Sequence, residues 1–312
     1  MEMLPEDVLI CILLFVAPRS LRRASCVCKR WNALLNSEYM KSMRFRERWH
    51  NYATGQLLPM QLYAPRMLYR TAITMGDDGK VYTFCNAGPH GWHVLCEGRI
   101  VCFLWYHALN LFAMCPTFAV VGTRIYFRLQ GLLRISDAGE TGVFVKETPW
   151  KILSSNGKVY ALCNRKVLVI EGLTVTHTIE CRKWIDFAVL GDTLFGAPRD
   201  SGTVVMWRDG VSTNIVDMPH GVLVGHKDKL YSLYGSTIYT RDSTGLVTSM
   251  CMMDDVFDLT FVGDTMCVAG RDDIHVCGKQ LVTIKAKTVC AIIGTDTELT
   301  VLKNERGVVK YV

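Results

Sequence analysis

Hydrophobic positions change rhythm once along this chain, near Trp49: before it they recur at helical spacing, after it they fall in short runs cut by turns. Val8 to Ala17 is an unbroken run of ten apolar residues. A helix apolar on every side must be buried on every side, and about forty residues cannot build a core that does this. The rest of the chain or a partner has to cover it, and the pattern favours a partner. Leu4, Val8, Leu9, Ile12, Leu13 and Val16 mark a helix opened by Pro5, with Glu6 and Asp7 in its first turn. Proline fits there, and acids suit the positive end of a helix dipole. Pro18 stops it. Ser20 can cap a second helix, in which Leu21, Ala24, Val27 or Cys28, and Trp31 recur at helical spacing. A third short helix is expected over 33–48.

From about Met60 to Val312 the runs are β-branched and aromatic, punctuated by Gly, Asn, Asp and Ser. One motif returns: Gly79-Lys80-Val81-Tyr82, Gly122 to Tyr126, Gly157-Lys158-Val159-Tyr160, Gly191 to Phe195, Asp228-Lys229-Leu230-Tyr231, Gly263 to Cys267 and, more weakly, Asp296 to Leu299. The aliphatic positions are spaced 44, 34, 35, 36, 36 and 33 residues apart. Each interval holds four strands; in one they fall at 151–154, 158–164, 166–171 and 173–180, and glycine turns at Gly172, Gly210, Gly245 and Gly278 join the last two. A four-stranded antiparallel unit repeating at this period is the signature of a β-propeller. Seven registers predict seven blades; six is the alternative, because the first interval is long and irregular around Leu104 to Phe118. The last interval, from Cys290, has room for three strands, so a strand from 61–70 is expected to complete it and remove the free edges. A two-sheet sandwich or a solenoid is the competing class.

Composition narrows the partners. Half the residues are hydrophobic and 21% are charged, which fits a folded chain with no disordered tract. The first 50 residues hold nine Lys/Arg against five Asp/Glu, the remaining 262 hold 26 against 24. A nearly neutral large domain argues against a nucleic-acid surface, and the basic excess on the small module favours an acidic partner. Thirteen cysteines without a C-x-x-C fit small hydrophobes in a reducing compartment and neither a disulfide framework nor a zinc site. Cys102, Cys163, Cys267 and Cys290 sit in apolar runs of this kind. The N-terminus lacks the basic region of a signal peptide, and ten apolar residues are too few to span a bilayer. No membrane is expected; the location read from the sequence is cytoplasmic, nuclear or both.

Three blocks of the N-terminal segment, Leu4-Pro5-Glu6-Asp7-Val8-Leu9, Leu21-Arg22-Arg23-Ala24 and Val27-Cys28-Lys29-Arg30-Trp31, resemble an F-box in order and spacing. The linker Ala17-Pro18-Arg19-Ser20 departs from it, where the family often has an acid before the leucine. The domains expected are an F-box helical module at 1–48 and a β-propeller at 49–312. The resemblance implies docking on a Skp-family adaptor, and through it on a cullin-based ubiquitin ligase, by Leu4, Pro5, Val8, Leu9, Ile12, Leu21, Val27, Cys28 and Trp31. Of these, Trp31 and Ile12 are the ones expected to hold the helices to each other. The propeller is similar to kelch repeats in its Gly-x-x-Val-Tyr strand but lacks their paired glycines; the Trp-Asp of WD repeats is absent too.

No P-loop, G-x-S-x-G, G-x-G-x-x-G or H-E-x-x-H appears, so no catalytic residue, cofactor or metal site is assigned. His90 and His93 flank Gly91-Trp92 in an expected loop and read as solvated histidines; Asp254-Asp255 and Asp272-Asp273 read as turns. A positional pattern is more informative. Loops joining second to third strands share one face with the blade-to-blade connections. Arg128, Arg165, Arg199, Arg271 and Arg306 fall in or near those loops, with Trp150 and Trp184 on the connections. This face would suit an acidic or phosphorylated protein substrate, since guanidinium binds such groups bidentately and tryptophan anchors interfaces. The resemblance implies a non-catalytic substrate receptor of the ligase. A scaffold that binds the adaptor outside the ligase, or a propeller enzyme acting on a small molecule in the central channel, are the alternatives.

Overall fold

The computed structural model describes residues 9, 26–37, 40, 49, 53, 60–63, 71–86, 92–97, 99–104, 117–129, 132–137, 140–181, 183–251, 255–278, 281–303 and 307–311. Of the N-terminal module, one helix is described, Lys29–Asn36. Cys28 before it is extended, at φ −161° and ψ 165°, and Cys26 and Val27 form a turn. The expected helix through Val27 and Cys28 to Trp31 is therefore broken at 26–28, and a new one starts at Lys29. Nor does a helix run unbroken over 33–48: Ser37 ends this one, its hydroxyl donating to Leu34 O at 2.7 Å and accepting the Met40 N–H at 3.2 Å. That second bond has the form of an N-cap contact, and Met40 is itself helical.

The rest is a ring of seven four-stranded antiparallel sheets. Blades 1 to 6 span 72–104, 118–145, 151–180, 184–219, 222–251 and 256–285; blade 7 joins 289–311 to Met60–Tyr63. Seven blades is thus the count, with a repeat present after the irregular first interval. Met60 pairs with Lys310 and Gln61 with Val309, so the strand after the N-terminal module closes the ring as expected. Blade 3 consists of Lys151–Ser155, Lys158–Leu162, Lys166–Glu171 and Thr174–Glu180. Its second strand is buried from Val159 to Leu162, because neighbouring blades cover both faces. That explains the apolar runs without alternation.

The recurrent glycine serves the turn between first and second strands. Gly79, Gly122, Gly157, Gly191 and Gly263 all sit there with φ between 55° and 72°. Blade 5 has no glycine at this place, and Lys227 adopts φ 53° instead, which accounts for the glycine-free Asp228-Lys229-Leu230-Tyr231 form of the motif. Cores lie between blades: Phe84, Trp92, Phe118 and Phe127 fill one such joint. Each buried side chain of this size gains about 1.5–3 kcal/mol on leaving water.

Side chains of the inner strands also bond blade to blade. Thr117 Oγ1 accepts the Ile152 N–H at 2.9 Å, Asp186 Oδ2 the Leu223 N–H at 2.8 Å, and Asp258 Oδ2 the Ile292 N–H at 2.9 Å. These three acceptors immediately precede the buried Phe118, Phe187 and Leu259 of their own blades and reach the same register on the next blade. The chain just after the N-terminal module is anchored in the ring. Trp49 is fully buried in the joint between blades 6 and 7, with Ala53 packed beside it, and its ring lies 6.5 Å from Tyr311.

Candidate functional site

The inner strands of blades 4, 6 and 7 begin with the same irregularity. Trp184 pairs with Pro198 and Asp186 with Ala197; Val256 pairs with Gly270 and Asp258 with Ala269; Val289 pairs with Lys303 and Ala291 with Leu302. In each, one residue is left over: Ile185, Phe257 or Cys290. Such β-bulges re-aim side chains at barrel rims and sites. Here the extra residue is exposed, Ile185 at 51% and Phe257 at 37%, and all three line one cavity of about 630 Å³. In blade 3, Trp150 holds the corresponding place; its N–H donates to Leu162 O at 2.6 Å and its side chain is 51% exposed. His220 and Tyr234 of blade 5 contribute the remaining aromatic wall.

Three charged groups line the same cavity: Lys151, Asp186 and Asp258. Lys151 Nζ is paired with Asp186 Oδ1 and also donates to Phe187 O at 3.1 Å. Asp258 accepts the Leu259 N–H at Oδ1 and the Ile292 N–H at Oδ2, each at 2.9 Å. Burial pushes its carboxyl up to about 6, against the pull of those two N–H groups and of Lys151; nearby Asp186 adds to the rise. One ammonium therefore stands against two carboxylates. His220 Nδ1 is buried and has no hydrogen-bond partner among the described residues. The other recess of note, about 440 Å³ between blades 1 and 2, has Tyr82, Val101, Cys102, Val120, Ile125 and Ser136 in its lining and no charged side chain.

The site read from the sequence divides. Arg165, Arg199 and Arg271 are exposed, and their backbones bond to the blade-to-blade connections: Cys181 N–H to Arg165 O, Arg199 N–H to Lys183 O, Val289 N–H to Arg271 O. They therefore stand on the face where the inner strands begin and the cavity opens, the mouth of the ring. Arg128 does not stand free on it. It lies at the end of strand Arg124–Leu129, half-buried, and donates to Pro149 O at 3.1 Å, so it secures the connection ahead of blade 3. Trp184 is a correction too: at 8% exposure its ring belongs to the core between blades 3 and 4. It lies over Gly196, where an added Cβ would be 2.2 Å from the indole. Cys290 faces solvent at the channel mouth instead of packing as a hydrophobe. Arg306 lies outside the described residues.

Of the adaptor positions, Leu4, Pro5, Val8, Ile12 and Leu21 lie outside the described residues. Leu9 is buried with Met40 against Trp31, Leu34 and Leu35, so it holds the module together and offers no surface in this state. Val27 is 62% exposed, and Cys28 is exposed beside it. Near blade 1, Trp92 and His93 form part of a strand, Trp92–Cys96, with Trp92 in the core; the expected loop does not extend over them, and His90 lies outside the described residues. Asp255 and Asp272 are turn residues, while Asp273 starts a strand. No three His, Cys, Asp or Glu side chains gather as a metal site would require, among the described residues.

Sequence reasoning missed Lys151, Asp186, Asp258, His220 and Tyr234. A signal existed: Asp186 and Asp258 are 72 residues apart, two repeats, each heading an inner strand that is otherwise largely apolar.

Comparison with known proteins supports both halves of this architecture. Residues 1–46 match the family model described as F-box-like. No curated protein matches the chain by sequence. Among solved structures, BBS1N, in complex with ARL6DN, is 12% identical with a TM-score of 0.59, covering 80% of this chain and 93% of that one. The WD40 beta propeller domain of Doa1 is 12% identical at 0.57, over 82% and 95%. BamB from Moraxella catarrhalis is 14% identical at 0.55, over 77% and 83%. At such identities the likeness shows the fold alone: the chain carries an F-box-like segment followed by a seven-blade all-β propeller.

Proposed function

We propose that the chain is the substrate-recognition subunit of a Skp–cullin–F-box ubiquitin ligase. The observation that carries this reading is the pairing, in one chain, of an F-box-like segment at residues 1–46 with a seven-blade propeller that has an open recess at the starts of its inner strands. The F-box module would bind a Skp-family adaptor, using exposed apolar surface such as Val27, and through it a cullin. Trp49, buried between blades 6 and 7, would hold the propeller at a set place relative to that contact. The chain's own contribution would be geometric: it holds a protein ligand so that a lysine lies near a ubiquitin-charged enzyme, and positioning of this kind lowers a barrier without any covalent step on the receptor. None of the ten described cysteines is joined in a disulfide, and a cytoplasmic or nuclear setting is part of this reading. No helix among the described residues is long and apolar enough to cross a membrane.

The test is co-expression with a Skp-family adaptor. The wild-type chain should form a stoichiometric complex, and Val27→Asp should lose it with the thermal midpoint unchanged, because Val27 is exposed. Leu9→Ala is unsuitable as the sole probe, since it would open the module's own core. A wild-type chain that stays monomeric beside excess adaptor overturns the reading.

A further inference from the structure

We propose that the channel mouth receives a basic side chain, lysine or arginine, from a protein ligand, seated against Asp258 and walled by Phe257, Tyr234 and His220. This deepens the receptor reading and rests on it for the ligand being a polypeptide. In the cavity Lys151 is hydrogen-bonded to Asp186 and to Phe187 O, and the hydrogen bonds that Asp258 accepts come from backbone N–H groups. Buried carboxylates are ordinarily paired with a cation or a dense set of donors, and each Asp258 oxygen here has one neutral donor and lone pairs to spare. A ligand ammonium or guanidinium completes the balance of two positive against two negative groups. An incoming carboxylate or phosphate would face both aspartates.

Shape and polarity agree with the charge. The bulges in blades 4 and 6 turn Ile185 and Phe257 into the opening, and Tyr234 stands exposed across it. An apolar wall suits the methylene stem of a long basic side chain, and aromatic faces attract its charged end. His220 Nδ1, buried and without a partner among the described residues, supplies an acceptor for a ligand N–H when the imidazole is unprotonated. The exposed Arg165, Arg199 and Arg271 stand on the loops of this face and do not line the cavity.

The test uses the full chain and short fluorescein-labelled peptides with a fixed central lysine, arginine, norleucine or glutamate between randomised flanks. Lysine and arginine pools should bind about tenfold more tightly than norleucine, and the glutamate pool should bind weakest. Asp258→Asn should reduce that preference to about twofold or less. Phe257→Ala and Tyr234→Ala, both substitutions of exposed side chains, should weaken the basic pools with the thermal midpoint unchanged. A preference for glutamate, equal binding of all pools, or a basic preference that survives Asp258→Asn overturns the proposal. Should Asp258→Asn fail to fold, an unaltered basic preference in both aromatic variants overturns it instead. Adaptor capture is scored on the same preparations. Peptide selectivity without adaptor capture keeps the pocket and removes the ligase; capture without selectivity does the reverse.

Discussion

Asp258 accepts the backbone N–H of Ile292 at 2.9 Å across the joint between blades 6 and 7. Asp186 does the same to Leu223, and Thr117 to Ile152. A carboxylate placed there closes the ring at one point while standing in the channel cavity, so its charge bears on both stability and binding.

The Asp258 pair implies a pH dependence of stability. Its folded pKa, about 6, lies above the ordinary 3.8. Protons therefore bind the folded state more tightly, and this group's contribution is fully present below 3.8 and lost as pH rises through 6. Between about pH 7 and about pH 5 the gain should be on the order of 1 kcal/mol. Asp258→Asn should remove this component while it loses one acceptor at the joint. Urea midpoints of both proteins at the two pH values check it. Parallel pH dependences would show that burial does not raise this carboxyl.

Trp49 should be the fastening between the N-terminal module and the ring. Trp49→Ala empties a fully buried site beside Tyr311, and truncations of this kind cost about 3–5 kcal/mol. Limited proteolysis should then cut ahead of Met60 faster than in wild type, with adaptor capture retained. Unchanged proteolysis would mean that other contacts fasten the module.

Gly196→Ala should destabilise blade 4 by about 1–3 kcal/mol, because the new Cβ would fall 2.2 Å from the Trp184 indole. The urea midpoint reads it. Replacing Gly142, which has open space at the Cβ position, should shift the midpoint far less.

Arg128 and Arg199 should separate. Arg128→Ala leaves Pro149 O without its donor and should cost about 1–3 kcal/mol. Arg199→Ala, at an exposed loop position, should leave the thermal midpoint where it was. Equal effects would contradict the distinction between a connecting and a surface arginine.

The blades were legible because the turn glycine and the buried second strand repeat together. Even Lys227, in place of glycine, left the register readable through Leu230 and Tyr231. The closing strand followed from a count of strands per interval. What was not legible depends on single-residue irregularities. A bulge inserts one residue and reverses which neighbour points outward, so Cys290 read as part of an apolar run and nothing in the pattern singled out Ile185 or Phe257. Trp184, beside Lys183 in a polar connection, read as exposed, yet it folds back over Gly196. Arg128 read as a loop residue because its bond to Pro149 O joins two blades, and local pattern does not record a contact across that distance. The turn at 26–28 was hidden because Val27 and Trp31 keep helical spacing across it.

The most direct test is ubiquitin transfer with the reconstituted assembly: this chain, a Skp-family adaptor, a cullin–RING core and a protein captured by the propeller. Ubiquitin should be attached to the captured protein only when the chain is present, and Val27→Asp should abolish the transfer. An adaptor complex that forms but never recruits the cullin would contradict the ligase account and leave a scaffold in its place.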